Sequence, residues 1–93
     1  PSWIYIIINP AWPTFCKIGI TKNIKLRLKA YLVSSPFGDF RCVHAEYFYD
    51  NAQYINDIYE HFGDFRGHGE WFEIPVAEAS AYLTKVKAQS DAV

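Results

Sequence analysis

The sequence contains only two cysteines among its 93 residues. Cys16 and Cys42 lie in strand-like segments without a CxxC pair, so free thiols in a reducing compartment are favoured over the alternative, a disulfide. The three histidines, His44, His61 and His68, lack the mutual spacing of zinc ligands. Neither a zinc site nor a disulfide framework is therefore predicted.

Long hydrophobic runs are also missing. The longest apolar stretches fall far short of the roughly 20 residues that a membrane helix needs. The segment WIYIII near the start has no charged region before it, as a signal peptide would require. Repeats and low-complexity tracts are absent as well, and we expect a cytoplasmic protein without a membrane partner.

Charge of one sign is not in excess, because nine basic residues against ten acidic ones give a net charge of -1 and a pI near 6.3. Most nucleic-acid binders carry a basic surplus over the whole domain, and this chain does not. Between positions 17 and 29, however, five basic residues occur with no acidic residue among them. Any binding of phosphate must therefore be local.

The chain is rich in apolar side chains, with 51% hydrophobic and 18% aromatic residues. A chain of this length buries enough surface for one hydrophobic core and no second one. We therefore expect a single globular domain over residues 1–93, which leaves no room for a separate recognition module.

Hydrophobic periodicity predicts four extended segments and three helices. The extended segments cover 3–9, 15–20, 40–49 and 70–74, and the helices run from Thr21 or Asn23 to Val33, from a cap at Asp50 or Asn51 through Phe62, and from about 76 to 88 after Pro75. This order predicts an α+β domain whose core spans about 3–74. Its small, three-stranded, mainly antiparallel sheet would carry helices on one face, with the short segment at 70–74 added and the other face open.

Alternation along the first two strands separates a core face from an open face. The core face is predicted to contain Ile4, Ile6, Ile8, Cys16, Ile18 and Ile20. Hairpin pairing centred on Ala11 would place Tyr5 opposite Lys17 and Trp3 opposite Gly19 on the open face. Lys17 would then be charged because it faces solvent, and Gly19 would leave backbone accessible to a ligand.

Arg27 and Tyr31 are candidates for phosphate binding. They stand four residues apart on the first predicted helix, so a guanidinium and a phenol lie on neighbouring turns. This pair suits a phosphate. Periodicity alone also allows Arg27 to cover the edge of the core with its stem while Tyr31 packs.

Five pieces of sequence, in this order, resemble the GIY-YIG endonuclease superfamily and its small phage-type branch. They are WIY at 3–5, KIG at 17–19, Arg27, Tyr31, and Glu70 within GEWF. The stretch KIGITKNIKLRLKAYL is also similar to the nuclease domain of the bacterial excision-repair incision subunit. The resemblance covers roughly residues 3–74.

The resemblance implies hydrolysis of phosphodiester bonds with one Mg²⁺ or Mn²⁺ ion held mainly by Glu70. Tyr5 would bind or deprotonate the attacking water, and Lys17 would assist it or orient the water itself. Arg27 and Tyr31 would hold the phosphate and stabilise charge in the transition state. Without the resemblance, an exposed glutamate at the start of an edge strand is the favoured explanation of Glu70.

Further residues are weaker candidates. Gly19, Arg66 and His68 are predicted to contact substrate, although Arg66 could form an ion pair with Asp64 and His68 could be a solvated loop residue. Tyr59 is an additional site candidate, while its place on an apolar helical arc favours core packing. Candidate partners are DNA, a second copy of the chain and a separate targeting protein.

Two functions are consistent with the sequence. The first is a metal-dependent endonuclease that cuts or nicks DNA with little intrinsic sequence choice. The alternative is a catalytically impaired binding protein, favoured by Ile55 and Tyr59 where the phage-type branch often carries glutamate and histidine. In that binding protein the aromatic face of Trp3, Tyr5 and Phe15 would meet a partner, and a stacking surface for single strands or RNA is a third hypothesis.

Overall fold

Four strands and three helices form in the order ββαβαβα in the computed structural model, which describes residues 1–49 and 52–92. The elements are β1 (Ser2–Ile8), β2 (Cys16–Thr21), α1 (Ile24–Val33), β3 (Arg41–Phe48), α2 (Ala52–His61), a 3₁₀ turn (Gly63–Phe65), β4 (Trp71–Phe72) and α3 (Val76–Asp91). The predicted α+β class is confirmed. The short extended segment is a fourth strand of the sheet, and the caps predicted at Asp50 or Asn51 fall outside the described residues.

The sheet is antiparallel throughout, with strand order β3-β1-β2-β4. The apolar strand β1 lies between β2 and β3, and its pairing with β3 shifts register between Ile6 and Ile7. β4 pairs only with the start of β2, through Cys16 opposite Phe72 and Lys17 opposite Trp71. The later residues of β2 therefore extend past β4 at this edge of the sheet.

The predicted register of the first hairpin was wrong. Pairing is centred one residue beyond Ala11, so Tyr5 lies opposite Gly19 rather than opposite Lys17. The cause is the loop at 9–15, which contains two consecutive turns closed by backbone hydrogen bonds of 3.0 and 3.1 Å. A loop of this length moves every cross-strand pair by two positions while leaving each side chain on its predicted face.

The core lies on the sheet face that carries α2 and α3. Ile4, Ile6, Cys16 and Ile18 are buried there, as predicted, and Ile8 and Ile20 pack against them partly buried. The helices and β4 contribute the remaining buried side chains, which include Ile55, Ile58, Phe62, Phe72, Ala79, Leu83 and Val86. The apolar side chains that alternate along the strands and those at helical spacing in α2 and α3 therefore pack together in one cluster.

The opposite face of the sheet, predicted to be open, is covered. Tyr5 is 0% and Ile7 1% exposed on this face. Helix α1 lies over it, because Arg27 and Tyr31 of α1 both contact the Tyr5 hydroxyl. The prediction failed because it assigned the apolar side of α1 to the same core as the other helices.

The helix ends follow from local chemistry. Asn23 caps α1, since its side-chain oxygen accepts a 3.0 Å hydrogen bond from the Leu26 N–H. Pro75 precedes α3, which continues to Asp91, about one turn beyond the predicted end. Among the helices that the described ranges contain, none is long and apolar enough to cross a membrane.

Both thiols are free, as predicted. Cys16 is buried in the core, and burial raises the pKa of its thiol to about 11. Cys42 on β3 is half-buried, and burial likewise raises the pKa of its thiol. Neither thiol is therefore poised to react as a thiolate at neutral pH.

Candidate functional site

Tyr5, Arg27 and Tyr31 form one hydrogen-bonded group, called here the phenol–guanidinium cluster. The Arg27 Nη1 group donates to the Tyr5 hydroxyl oxygen at 3.0 Å. The hydroxyl oxygens of Tyr5 and Tyr31 lie 3.3 Å apart, and the two rings meet edge to face with centroids 6.1 Å apart. The sheet supplies the first residue and α1 the other two, so the cluster depends on the docking of α1.

The cluster keeps a fixed charge distribution at neutral pH. Burial, followed by the neighbouring Tyr31 hydroxyl, raises the pKa of Tyr5 to about 12, against the opposing effect of the Arg27 charge. The hydrogen bond to Tyr5 raises the pKa of Arg27, and the charge of Glu70 contributes in the same direction. Tyr5 is therefore a neutral phenol and Arg27 a permanent cation whose surroundings include the Glu70 carboxylate.

Gly19 makes room for the Tyr5 ring. A Cβ atom at this position would lie 2.4 Å from the Tyr5 hydroxyl oxygen, far inside contact distance. Gly19 itself is buried. The space that the glycine leaves is thus filled by the phenol of the same molecule, and not left open as the sequence interpretation assumed.

Lys17 lies beside aromatic rings on the α1 face of the sheet. Its Nζ atom is 5.2 Å from the centroid of the Tyr31 ring and 5.9 Å from that of the Trp71 ring. The predicted neighbour, Tyr5, is two positions away in the register. Lys17 therefore adds positive charge next to the phenol–guanidinium cluster without pairing with Tyr5 across the strands.

Glu70 is held at the start of β4 by two contacts. Its backbone oxygen accepts a 3.1 Å hydrogen bond from the Ile18 N–H, and its side-chain Oε2 lies 3.1 Å from the Tyr59 hydroxyl. That hydroxyl also lies 2.8 Å from the Ile18 carbonyl oxygen. Glu70 is half-buried, so the simple picture of an exposed edge glutamate does not describe it.

Tyr59 packs against the core, as its place on the apolar helical arc favoured, and it also contacts a candidate site residue through its hydroxyl. Its ring packs against the core and stacks on Phe72 with centroids 5.6 Å apart. Its hydroxyl reaches Glu70, and burial, followed by the charge of that carboxylate, raises the pKa of Tyr59. Tyr59 is therefore a neutral phenol whose single proton is shared between the Ile18 carbonyl and Glu70 carboxylate oxygens.

Arg66 and His68 lie in the loop before Glu70. The Arg66 Nε donates to the Gly69 carbonyl oxygen at 2.7 Å, and its guanidinium carbon lies 4.6 Å from the centroid of the Tyr59 ring. The alternative ion pair with Asp64 is not formed in the described part of the chain. His68 is exposed and stands farther along the loop, beside an aromatic cleft.

The donor set fits one kind of metal only. Among residues 1–49 and 52–92, no group of three or more histidine, cysteine or acidic side chains is arranged to hold an ion. This excludes a preformed zinc cage in those ranges. A single carboxylate such as Glu70 fits Mg²⁺ or Mn²⁺, since Mg²⁺ keeps several waters and takes further ligands from substrate phosphate.

The sequence analysis missed a cleft lined by aromatic residues, called here the aromatic cleft. It has a volume of about 270 Å³ and is lined by Trp12, Phe15, Gly67, His68 and Trp71. The residues come from the hairpin loop, the loop before Glu70 and β4, so no local pattern reveals their meeting. The one signal was a tryptophan between two prolines in a surface loop, where a large ring is unexpected.

A second polar group, outside this site, links β3 to α3. His44 Nδ1 lies 2.6 Å from the Ser80 hydroxyl oxygen, and His44 Nε2 lies 2.9 Å from Glu46 Oε2. The residue types resemble a hydrolytic triad, but Ser80 lies inside α3, where backbone N–H groups are committed to the helix. With no oxyanion donors beside the serine, the group is a structural link between two elements.

The fold defines a small α+β module, and a family match suggests a nuclease-like or nucleic-acid-binding one. The profile of the T5orf172 domain matches residues 2–87, nearly the whole chain, and the chain belongs to this phage-associated, nuclease-related family. This match corrects the assignment to the GIY-YIG superfamily, which rested on short motifs and is wrong as a direct family assignment. No curated protein and no solved structure matches the chain.

Proposed function

We propose that this chain is a divalent-metal-dependent nuclease that hydrolyses DNA phosphodiester bonds with little intrinsic sequence choice. The observation that supports it is the position of Arg27, whose Nη1 group donates a 3.0 Å hydrogen bond to the buried Tyr5 phenol. A guanidinium binds phosphate oxygens directly, and a carboxylate binds them through a divalent cation. In this proposal Arg27 on α1 and Glu70, the residue before β4, act on the same phosphate.

Arg27 holds the scissile phosphate in this proposal. Only one of its guanidinium nitrogens is engaged with Tyr5, and the remaining N–H groups are suited to a phosphate. Lys17 supplies a second positive charge nearby. Neither side chain forms an ion pair with a carboxylate in the portion of the chain that is described, so a phosphate would not have to displace one.

Glu70 would hold the metal ion. The Tyr59 hydroxyl, 2.8 Å from the Ile18 carbonyl oxygen and 3.1 Å from Glu70 Oε2, has one proton to share between these acceptors and lies beside the carboxylate. A bound Mg²⁺ or Mn²⁺ ion would act as a Lewis acid on the phosphate and its attacking water. The half-buried position of Glu70 and its contact with the Tyr59 hydroxyl limit how far the carboxylate can move.

Tyr5 is fully buried, so in this proposal it positions Arg27 and Tyr31 and does not begin the reaction as a base. With a pKa of about 12, the phenol keeps its proton at neutral pH. It is held between Arg27 and Tyr31, so its hydroxyl is oriented before substrate arrives. Tyr31 hydrogen-bonds the phosphate or the leaving group in this arrangement.

The test is nicking of supercoiled plasmid with Mg²⁺ or Mn²⁺. We expect wild type to nick, Glu70→Gln to lose activity, and Arg27→Ala to lose about 100-fold or more in rate, as for loss of one charged transition-state contact. Glu73→Gln, three residues from Glu70, and Lys25→Ala, on the side of α1 away from Arg27, are the matched controls and should nick normally. Circular dichroism would verify that all variants fold.

The competing function is binding of nucleic acid without cleavage. It is favoured by the single carboxylate of the site and by Ile55, which points into the core where a second acidic residue would otherwise stand on α2. Wild type that leaves plasmid intact with both metals, even at high protein concentration, would establish this function instead. Cutting of both strands would additionally require a second copy of the chain, and choice of target a separate protein.

A further inference from the structure

Trp12 is a large aromatic residue that is exposed on the surface near the candidate site. It is 49% exposed at the tip of the first hairpin and meets Trp71 edge to face, with ring centroids 5.5 Å apart. We propose that the aromatic cleft binds one unpaired nucleobase of the DNA strand whose phosphate is cleaved. This inference rests on the proposed function and names its substrate class.

The shape of the cleft suits one flat ring. Trp12, Phe15 and Trp71 provide aromatic walls, and the volume of about 270 Å³ is of the size of a single base rather than of a stretch of duplex. Gly67 keeps the cleft open, because a Cβ there would lie 3.3 Å from Phe15 Cε2 and 3.5 Å from the Trp71 carbonyl oxygen. Stacking of a base on an aromatic side chain contributes about 1–3 kcal/mol.

The cleft is continuous with the candidate site. Trp71 directly follows Glu70, and Lys17 Nζ lies between the rings of Trp71 and Tyr31, 5.9 and 5.2 Å from their centroids. Tyr31 in turn bonds Tyr5. A strand held at its phosphate by Arg27 would therefore present its neighbouring base to the cleft.

Charge identifies a nucleotide as the occupant. Lys17 Nζ lies 5.9 Å from the centroid of the Trp71 ring, which is one wall of the cleft, and forms no ion pair among the residues described. The Arg66 guanidinium contacts the Gly69 carbonyl oxygen and the Tyr59 ring, neither of which lines the cleft. A nucleotide presents an aromatic ring and a phosphate a few ångströms apart, and so matches both the rings and the Lys17 charge. An apolar peptide would leave Lys17 without a partner.

The consequence is a preference for DNA with unpaired bases. A base inside a duplex must leave its stack before it can enter a cleft, which costs a few kcal/mol. Single strands, frayed ends and gaps present the base without that cost. The nuclease would therefore bind and cut such sites more readily than the interior of an intact duplex.

The experiment measures quenching of tryptophan fluorescence in EDTA, so that no cleavage occurs. The probes are an oligothymidylate of about ten nucleotides and an abasic sugar–phosphate strand of the same length. We expect the thymidylate strand to bind roughly 5- to 100-fold more tightly, the ratio that one stacked base supplies. A blunt duplex of the same length should quench much less than the single strand.

Variants test whether the preference for the strand with bases arises in the aromatic cleft. Trp12→Ala should abolish the preference for the strand with bases, Trp12→Phe should retain most of it, and Gly67→Ala should weaken it by narrowing the cleft. Phe37→Ala removes a ring that is 84% exposed elsewhere and should change nothing.

Equal binding of the two strands, no binding of either, or quenching by the duplex equal to that by the single strand would each overturn the inference. So would dimerisation of the protein that Trp12→Ala abolishes without any effect on base preference, because the cleft would then bind a second copy. Since cleavage plays no part in the measurement, its outcome is separate from that of the plasmid assay.

Discussion

Tyr5 shows how a single glycine can position a buried polar group. The ring is fully buried on a central strand, yet its hydroxyl reaches Arg27 and Tyr31. It can lie across the neighbouring strand only because Gly19 has no side chain, since a Cβ would be 2.4 Å from the hydroxyl oxygen. The position of the phenol is therefore determined by the backbone of β2 as much as by its own rotamer.

The stability of the fold should depend on the ionisation of Tyr5 at high pH. In the unfolded chain the phenol ionises near 10, whereas in the folded protein its pKa is about 12. Below pH 10 both states keep the proton, so Tyr5 adds no pH dependence there. Between pH 10 and about 12 only the unfolded state releases it, so the free energy of unfolding falls as pH rises.

Urea denaturation across this pH range checks the prediction. Wild type should lose stability more steeply between pH 10 and 12 than Tyr5→Phe, which has no proton to release at this position. Tyr49→Phe, which alters a phenol that is 81% exposed, is the control and should follow wild type. Parallel curves for wild type and Tyr5→Phe would show that the phenol is not held as described.

Helix α1 is the element on which the candidate site depends most and which the fold anchors least. It supplies Arg27 and Tyr31, but none of its ten residues is buried. Helices of this length are marginal without tertiary contacts. The contacts at Tyr5 and the cap at Asn23 therefore carry much of its stability.

Removal of this cap should loosen α1 selectively. Asn23→Ala deletes the acceptor for the Leu26 N–H and should cost about 0.5–2 kcal/mol. Amide hydrogen exchange should show faster exchange in α1 with little change in β1, and plasmid nicking should fall with it. Lys22→Ala, one residue before the cap, is the matched control. Equal loss of protection in α1 and β1 would mean that the helix does not open separately.

The sequence predicted the elements and the core face because strand and helix periods are local properties. Ile4, Ile6 and Ile18 point to the core whatever the register of the hairpin, since a shift of two positions preserves the face. The packing of α1 over Tyr5 could not be predicted from the hydrophobic period. The apolar side of α1 has the same period whether it packs on one face of the sheet or on the other.

The site was predictable only in part, for a related reason. The separation along the chain between Tyr5 and Arg27 carries no information on their contact, and periodicity placed Tyr59 in the core without revealing its hydroxyl contact with Glu70. Trp12 and Trp71 meet through a loop whose turns set its shape. Residues that a tertiary contact brings together are visible in the sequence only one at a time.

At the scale of the whole molecule, the net charge of -1 predicts a weak electrostatic contribution to binding. Long-range attraction to DNA needs a basic surplus, and here negative charges elsewhere cancel the basic segment at 17–29. Binding must therefore rest on a few close contacts. In the proposed function these contacts are made by Lys17, Arg27 and Arg66.

This count gives a quantitative prediction for salt dependence. Three phosphate contacts on a single strand should give a slope of about -2 for log K against log salt concentration, because each contact contributes about -0.7. Titration of oligothymidylate binding with NaCl in EDTA measures it. Lys17→Ala should reduce the slope by about 0.7, whereas Lys25→Ala, which faces away from the site on α1, should leave it unchanged. A slope near that of a strongly basic protein, or an equal effect of both lysines, would mean that the strand follows the outer surface of α1 and bypasses the phenol–guanidinium cluster.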